Sequence, residues 1–311
     1  MSYLALAAGL LLLFGGGEAL LRGAVAAARA MRLSEIFVGV AIVGFATSAP
    51  ELFVSVDAAL ADRPEIALAN VIGSNAANLM LILGVGAAIR PVMANRRAIR
   101  LDAAWAIAAA LATAAVTFAG GLDRIFGIAL VFGIAAYLTL GFRQARVVGA
   151  APSEDLPSDR GMETWRYVGL ILGGAAALAI GAEFLIYGAT AIAKAAGVSD
   201  RVIGVSLIAL GTSLPELATT LSAARTHRTD VAVGNILGSC VFNVFAILGV
   251  AGIVAPFTFE REGFLFDVGV MTLASAAIIA VTMSGRQIGR SFGIGLVCVY
   301  TVYIVAIFLA P

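Results

Sequence analysis

The chain has 311 residues, 61% of them hydrophobic and 13% charged, with a formal net charge of +1. Soluble domains carry about 25% charged residues, so this composition excludes a soluble enzyme or binding module. The near-zero net charge gives no electrostatic basis for nucleic-acid binding.

Apolar runs of about 20 residues recur from end to end, each long enough to cross a bilayer as a helix. They predict an all-α polytopic membrane protein with ten transmembrane helices, near 3–28, 35–60, 65–88, 101–119, 122–142, 167–192, 202–224, 231–254, 264–284 and 291–310. The first run has no basic residues before it and reads as a span rather than a cleaved signal peptide. Trp105, Trp165 and Tyr167 are expected in interfacial belts. The longest polar stretch, Arg143 to Arg166, holds Pro152, Glu154, Asp155 and Pro157. It reads as a solvated linker. The expected organisation is a first five-helix repeat over 1–143, a cytoplasmic linker over 144–166 and a second five-helix repeat over 167–311. Cys240 and Cys298 lie in apolar runs and are expected as two free, packed thiols. His227, the only histidine, is expected in a solvated loop beside Arg225 and Arg228.

Basic residues fix the orientation. With the N-terminus outside, fourteen fall on the cytoplasmic side, among them Arg29, Arg32, Arg90, Arg143, Arg225 and Arg286. Five fall outside: Arg63, Arg124, Lys194, Arg201 and Arg261. The positive-inside rule then places both termini outside.

The two halves repeat without a gap at an offset of 165 residues. Gly16 matches Gly181, Glu18 matches Glu183, Ser34 matches Ser199, and Gly39-Val40 matches Gly204-Val205. Thr47-Ser48 matches Thr212-Ser213, Pro50-Glu51-Leu52 matches Pro215-Glu216-Leu217, and Asn70, Gly73-Ser74 and Asn78 match Asn235, Gly238-Ser239 and Asn243. Apolar helices share leucine and alanine by chance, but not an ungapped set of Thr, Ser, Pro, Glu and Asn. Five spans separate equivalent points, so the halves insert with opposite orientation. This is an inverted-topology repeat, the architecture of secondary transporters, with a substrate site near the midplane.

The polar motifs sit at that site. A glutamate inside a span is costly and marks function, and Glu51 and Glu216 occupy matching settings. Pro50 and Pro215 remove one helical donor each and should loosen the carbonyls of Ala46 and Gly211. Thr47 and Glu51 are four residues apart, as are Thr212 and Glu216, which puts each pair on one helical face. Ser74 and Asn78, and Ser239 and Asn243, share faces of the following spans by the same spacing. All of these groups are hard oxygen donors suited to Ca²⁺ or Na⁺. Two glutamates give a charge that balances one Ca²⁺, and protons compete with the metal.

The paired motifs Gly44-Phe-Ala-Thr-Ser-Ala-Pro-Glu51 and Ala209-Leu-Gly-Thr-Ser-Leu-Pro-Glu216 resemble the α-repeats of the cation/Ca²⁺ exchanger superfamily. The similarity is greatest to its prokaryotic sodium/calcium exchanger branch and spans essentially the whole chain. The resemblance implies Ca²⁺/Na⁺ antiport, with Ca²⁺ and Na⁺ as transported ions, no cofactor and no catalysis. It implies Glu51 and Glu216 as central ligands and backbone oxygens of Thr47 and Thr212 on Ca²⁺. It also implies Ser48, Ser74, Ser213 and Ser239 at sodium sites with carbonyls of Gly44 and Ala209, and Asn78 and Asn243 lining the cavity. The expected setting is a prokaryotic inner membrane, with the lipid bilayer as partner and neither nucleic acid nor an obligate protein partner. The first motif has Ala46-Thr47 where the family usually has Gly-Thr. The position of Asn243 is often an aspartate in the family, which makes H⁺/Ca²⁺ exchange the alternative. Neither half has the Gly-Asn-x-x-Glu pattern typical of the proton/calcium branch. A channel does not need two inverted half-sites, and an intramembrane enzyme lacks a His-Glu-x-x-His pair or a Gly-x-Ser-x-Gly elbow here. Glu18 and Glu183, in the first helix of each half, are read either as packing groups or as lining an access path.

Overall fold

The computed structural model describes residues 2–92, 96–148, 163–195 and 209–309. Helix α1 spans Ser2–Met31. Helix α2, Ile36–Thr47, meets α3, Ala49–Leu60, at a bend of 48°. Helix α4 is Pro64–Ile89, α5 is Arg96–Ala119 and α6 is Arg124–Val148. The second half continues with α7, Thr164–Ala195, α8, Ala209–Thr212, and α9, Leu214–Arg225. It closes with α10, Thr229–Val254, α11, Leu265–Met283, and α12, Arg290–Leu309. Strand β1 (Gly121–Leu122) pairs antiparallel with β2 (Phe257–Thr258).

Among the described residues, eight helices are long and apolar enough to cross a membrane, or nine when the bent pair α2–α3 is counted as one span. They form where the apolar runs predict them, because in hydrocarbon a segment must satisfy its own backbone donors and acceptors. The expected span near 202–224 begins in residues 196–208, outside the described residues, together with Ser199, Arg201 and Gly204-Val205. Residues 149–162 of the expected linker also lie outside them.

Helices α4 and α10 form the centre. Their apolar stretches are 72% and 83% buried, against 44% or less for the other long spans. They carry Asn70, Ser74 and Asn78, and Asn235, Ser239 and Asn243, while Glu51 and Glu216 lie on α3 and α9 beside them.

Helices α1 and α7 pack against each other at the periphery. Gly9 lies against Gly181, Gly16 against Gly174, Gly23 against Tyr167, and Gly188 against Ser2. Numbers rise on one helix as they fall on the other, so the two run antiparallel. The glycines recur every seven residues on both helices, and a Cβ at Gly174 would lie 2.5 Å from the Leu20 nitrogen. Small residues at this spacing let two helices approach backbone to backbone in a membrane.

Contacts between connecting segments join ends that share a predicted side. Val92 bridges Ile288, Arg90 reaches His227 at 3.1 Å, and Arg290 donates to the Ile89 carbonyl, all on the side assigned as cytoplasmic. On the other side β1 pairs with β2, and Arg124 donates to the Ile253 carbonyl at 3.0 Å.

Three expectations are corrected. Trp105, expected to present its ring to a membrane interface, is only partly exposed. It packs inward against Tyr137 and Phe245, with ring centroids at 5.6 and 5.2 Å. Cys298 is free but exposed, while Cys240 is free and buried. The third correction concerns the prolines and belongs to the site.

Candidate functional site

Both motif helices are interrupted one residue before the proline's helix begins. Ser48 has φ −84° and ψ 6°, and Ser213 has φ −90° and ψ 5°. These are near-identical conformations in a sparsely populated region where active-site residues often sit. Pro50 and Pro215 then fall in the first turn of α3 and α9, where a missing N–H costs nothing. The proline therefore starts a new helix instead of loosening a continuous one.

The break changes which groups meet. Thr47 and Glu51 lie on separate helices, and Thr47 Oγ1 has Asn235 Oδ1 at 3.2 Å and the Gly44 carbonyl at 3.3 Å as acceptors. The serine at each break reaches across to the other half. Ser48 donates to Glu216 Oε1 at 3.0 Å, and Ser213 donates to Glu51 Oε1 at 3.4 Å. Ser239 Oγ lies 3.4 Å from both Glu216 Oε1 and the Gly44 carbonyl. Two sets of contacts result: Glu216 with Ser48, Ser239, Gly44 and Thr47, and Glu51 with Ser213. Both glutamates are fully buried.

Helices α4 and α10 supply the rest of the wall. Each changes to a wider π-helical turn at the matching place, over Ala77–Ile82 and Asn243–Leu248. Asn78 and Asn243 stand at the starts of those turns, a feature concentrated at functional sites. A third π-turn, Gly39–Gly44, ends at the Gly44 carbonyl. Glycines bring α2 and α10 into backbone contact here. A Cβ on Gly234 would lie 2.4 Å from the Ile36 carbonyl oxygen.

Buried polar atoms nearly always find partners. Among the described residues, the buried side-chain oxygens without one are Glu51 Oε2, Glu216 Oε2, Ser74 Oγ, Asn78 Oδ1, Asn243 Oδ1 and Thr272 Oγ1. All but Thr272 belong to the predicted site. Hard, unpartnered oxygens on α3, α4, α9 and α10 suit a hard cation. The described residues hold no cluster of three or more His, Cys, Asp or Glu, so the charge comes from two carboxylates and the other donors are neutral.

Thr212 is buried at the end of α8, and Ala209 is the first described residue of that helix. Asn70 and Asn235 act behind the site. Asn70 donates to the Glu51 carbonyl at 3.1 Å and Ser55 at 2.9 Å. Asn235 has the Glu216 carbonyl at 3.5 Å and Thr219 at 3.0 Å. Each ties its motif helix to the next span. Sequence reading misses Asn75, which is buried and bonded to Asn243. Its counterpart at the repeat offset is Cys240, so a search for matched polar pairs passes over it. Glu18 faces outward and pairs with Arg22 on the same helix, and Glu183 is also exposed.

The sodium/calcium exchanger protein family matches this chain over residues 1–142 and 166–309. The chain belongs to the sodium/calcium exchanger family. The putative antiporter CaxA of Alkalimonas amylolytica is 32% identical to it, with 91% of this chain and 90% of that one covered. The sodium/calcium exchanger MaX1 of Methanosarcina acetivorans is 29% identical, with 99% of each chain covered. The structure of the sodium-calcium exchanger NCX_Mj soaked with 2.5 mM Na⁺ and 0.1 mM Ca²⁺ superposes with a TM-score of 0.84 at 28% identity. That match covers 100% of this chain and 99% of NCX_Mj. This exchanger-family chain is a membrane protein of the transporter class, and Ca²⁺ and Na⁺ are the ions its family implies.

Proposed function

We propose that this chain exchanges Ca²⁺ for Na⁺ by alternating access, with Glu51 and Glu216 as the central ligands of one site. The observation that carries the reading is the crossed pair of carboxylates. Each binds the serine of the opposite half through one oxygen and leaves its other oxygen buried and unpartnered. Two carboxylates balance one Ca²⁺. Backbone oxygens of Thr47 and Thr212 join the Ca²⁺ shell. Ser48, Ser74, Ser213 and Ser239, with carbonyls of Gly44 and Ala209, serve Na⁺, and Asn78 and Asn243 line the cavity.

The architecture that fits is ten spans in two inverted five-helix repeats, over 1–143 and 167–311, joined by a cytoplasmic linker over 144–166. The antiparallel pairing of α1 with its repeat equivalent α7 supports inversion. The segregation of connecting-segment contacts by predicted side supports the alternation of spans and an N-out, C-out orientation, in a prokaryotic inner membrane. Helices α1 and α7, peripheral and joined through glycine, are the pair that moves against the central bundle.

H⁺/Ca²⁺ exchange through the same glutamates is the second reading, favoured by the neutral Asn243 at a position often acidic in the family. The test is ⁴⁵Ca²⁺ uptake into proteoliposomes loaded in turn with Na⁺, K⁺ or a proton gradient. Uptake driven only by outward Na⁺ is expected. Uptake driven by the proton gradient alone replaces sodium as the coupling ion.

A further inference from the structure

The serines and glutamates of the site are matched between halves, but one neighbour is not. Asn75 on α4 has Cys240 on α10 as its repeat counterpart. Asn75 Nδ2 donates to the Cys240 carbonyl at 3.3 Å. A carbonyl only accepts, so the Asn75 amide has one orientation, with its oxygen turned toward Asn243. Asn243 must answer with its nitrogen, and donates to Asn75 Oδ1 at 3.0 Å. Asn243 Oδ1 is thereby left over, buried and unpartnered. The backbone of α10 thus dictates, through Asn75, which end of the Asn243 amide is free. At the equivalent place beside Asn78 the thiol of Cys240, on α10, replaces this amide brace, and the Asn78 amide has no comparable hydrogen bond.

We propose that Asn75 is a positioning residue that fixes the Asn243 amide with its oxygen toward the transported cation and so raises the Ca²⁺ affinity of the second half-site. An amide free to turn must give up that freedom and its other hydrogen bonds to present its oxygen to a cation, so a brace that already holds it there strengthens binding. Asn75 itself does not touch the ion. The proposal rests on Asn243 being an ion ligand.

A carboxylate at 243 has oxygen at both ends, so orientation no longer matters. Asn75 then opposes a like acceptor or turns and gives up the Cys240 carbonyl. The proposal therefore requires coupling between the two positions, which a brace that only holds helices together does not give.

The experiment is Na⁺-driven ⁴⁵Ca²⁺ uptake over a range of Ca²⁺ concentrations, using the reconstituted full chain. It compares Asn75→Ala, Asn243→Asp, the double variant and Asn243→Leu with the native protein. Asn75→Ala is expected to raise the Ca²⁺ KM about tenfold or more, as loss of a ligand-orienting group does. In the Asn243→Asp background the same change is expected to move KM by no more than about threefold. A fall in maximal rate with KM unmoved, or the same factor in both backgrounds, overturns the proposal and leaves Asn75 structural. Asn243→Leu with native KM overturns instead the reading of Asn243 as a ligand.

Discussion

Ser48 of the first half donates to Glu216 of the second at 3.0 Å, and Ser213 returns the contact to Glu51 at 3.4 Å. Neither carboxylate is served by the serine of its own motif. The two motifs therefore depend on each other, and displacing either motif helix disturbs the hydrogen bond to the carboxylate of the other.

Replacing Glu51 or Glu216 by Gln should reduce Ca²⁺ uptake to background, because one negative charge cannot balance a dication. The fold should survive. A fully buried carboxylate without a full set of partners costs several kcal/mol (roughly) that a neutral amide does not. Melting in detergent without Ca²⁺ should therefore occur at or above the native temperature, and a Ca²⁺-dependent rise in Tm should be lost. Full exchange in either variant sinks the two-glutamate site.

Ser48→Ala should weaken Ca²⁺ binding by acting on Glu216, about tenfold in KM, since a hydrogen bond to a charged group contributes about 1.5–3 kcal/mol. Ser213→Ala should act on Glu51 in the same way but less, its contact being longer. Combining Ser48→Ala with Glu216→Gln should add nothing to the loss of Glu216 alone, which a ⁴⁵Ca²⁺ binding assay reads directly.

Asn243→Asp adds a carboxylate to a site that has two. Half-maximal exchange should then shift to lower Na⁺, and Na⁺ should inhibit Ca²⁺ uptake more strongly from the same side. An unchanged Na⁺ response would mean that this position does not set coupling.

Gly174→Val should damage the α1–α7 pair. Its Cβ would meet the Leu20 nitrogen at 2.5 Å and the Gly16 carbonyl oxygen at 2.8 Å, both backbone atoms, so the helices must separate. Overpacking of this kind costs roughly 1–3 kcal/mol. Gly15 on α1 has nothing within 4 Å of a Cβ, and Gly15→Ala should leave Tm and uptake near native. Equal Tm losses for the two variants would remove the close packing as the cause.

The apolar runs, the 165-residue repeat and the pairing of Glu51 with Glu216 were legible in the chain itself. Hydrocarbon forces each span to satisfy its own backbone, so span positions follow from local composition. A duplicated glutamate motif is visible because polar residues in apolar runs stand out. The rest required tertiary structure. Helical spacing puts Thr47 on the face of Glu51, but the helix breaks at Ser48 between them, and that serine donates to Glu216, 168 residues away. Trp105 was placed at the interface by residue type and turned inward by Tyr137 and Phe245. Asn75 showed no match in the repeat, and only the carbonyl of Cys240 and the amide of Asn243 give it a place. Local pattern determines what can cross a membrane. Which oxygen faces which carboxylate is decided by contacts between helices far apart in sequence, where one broken turn redirects a side chain to the other motif.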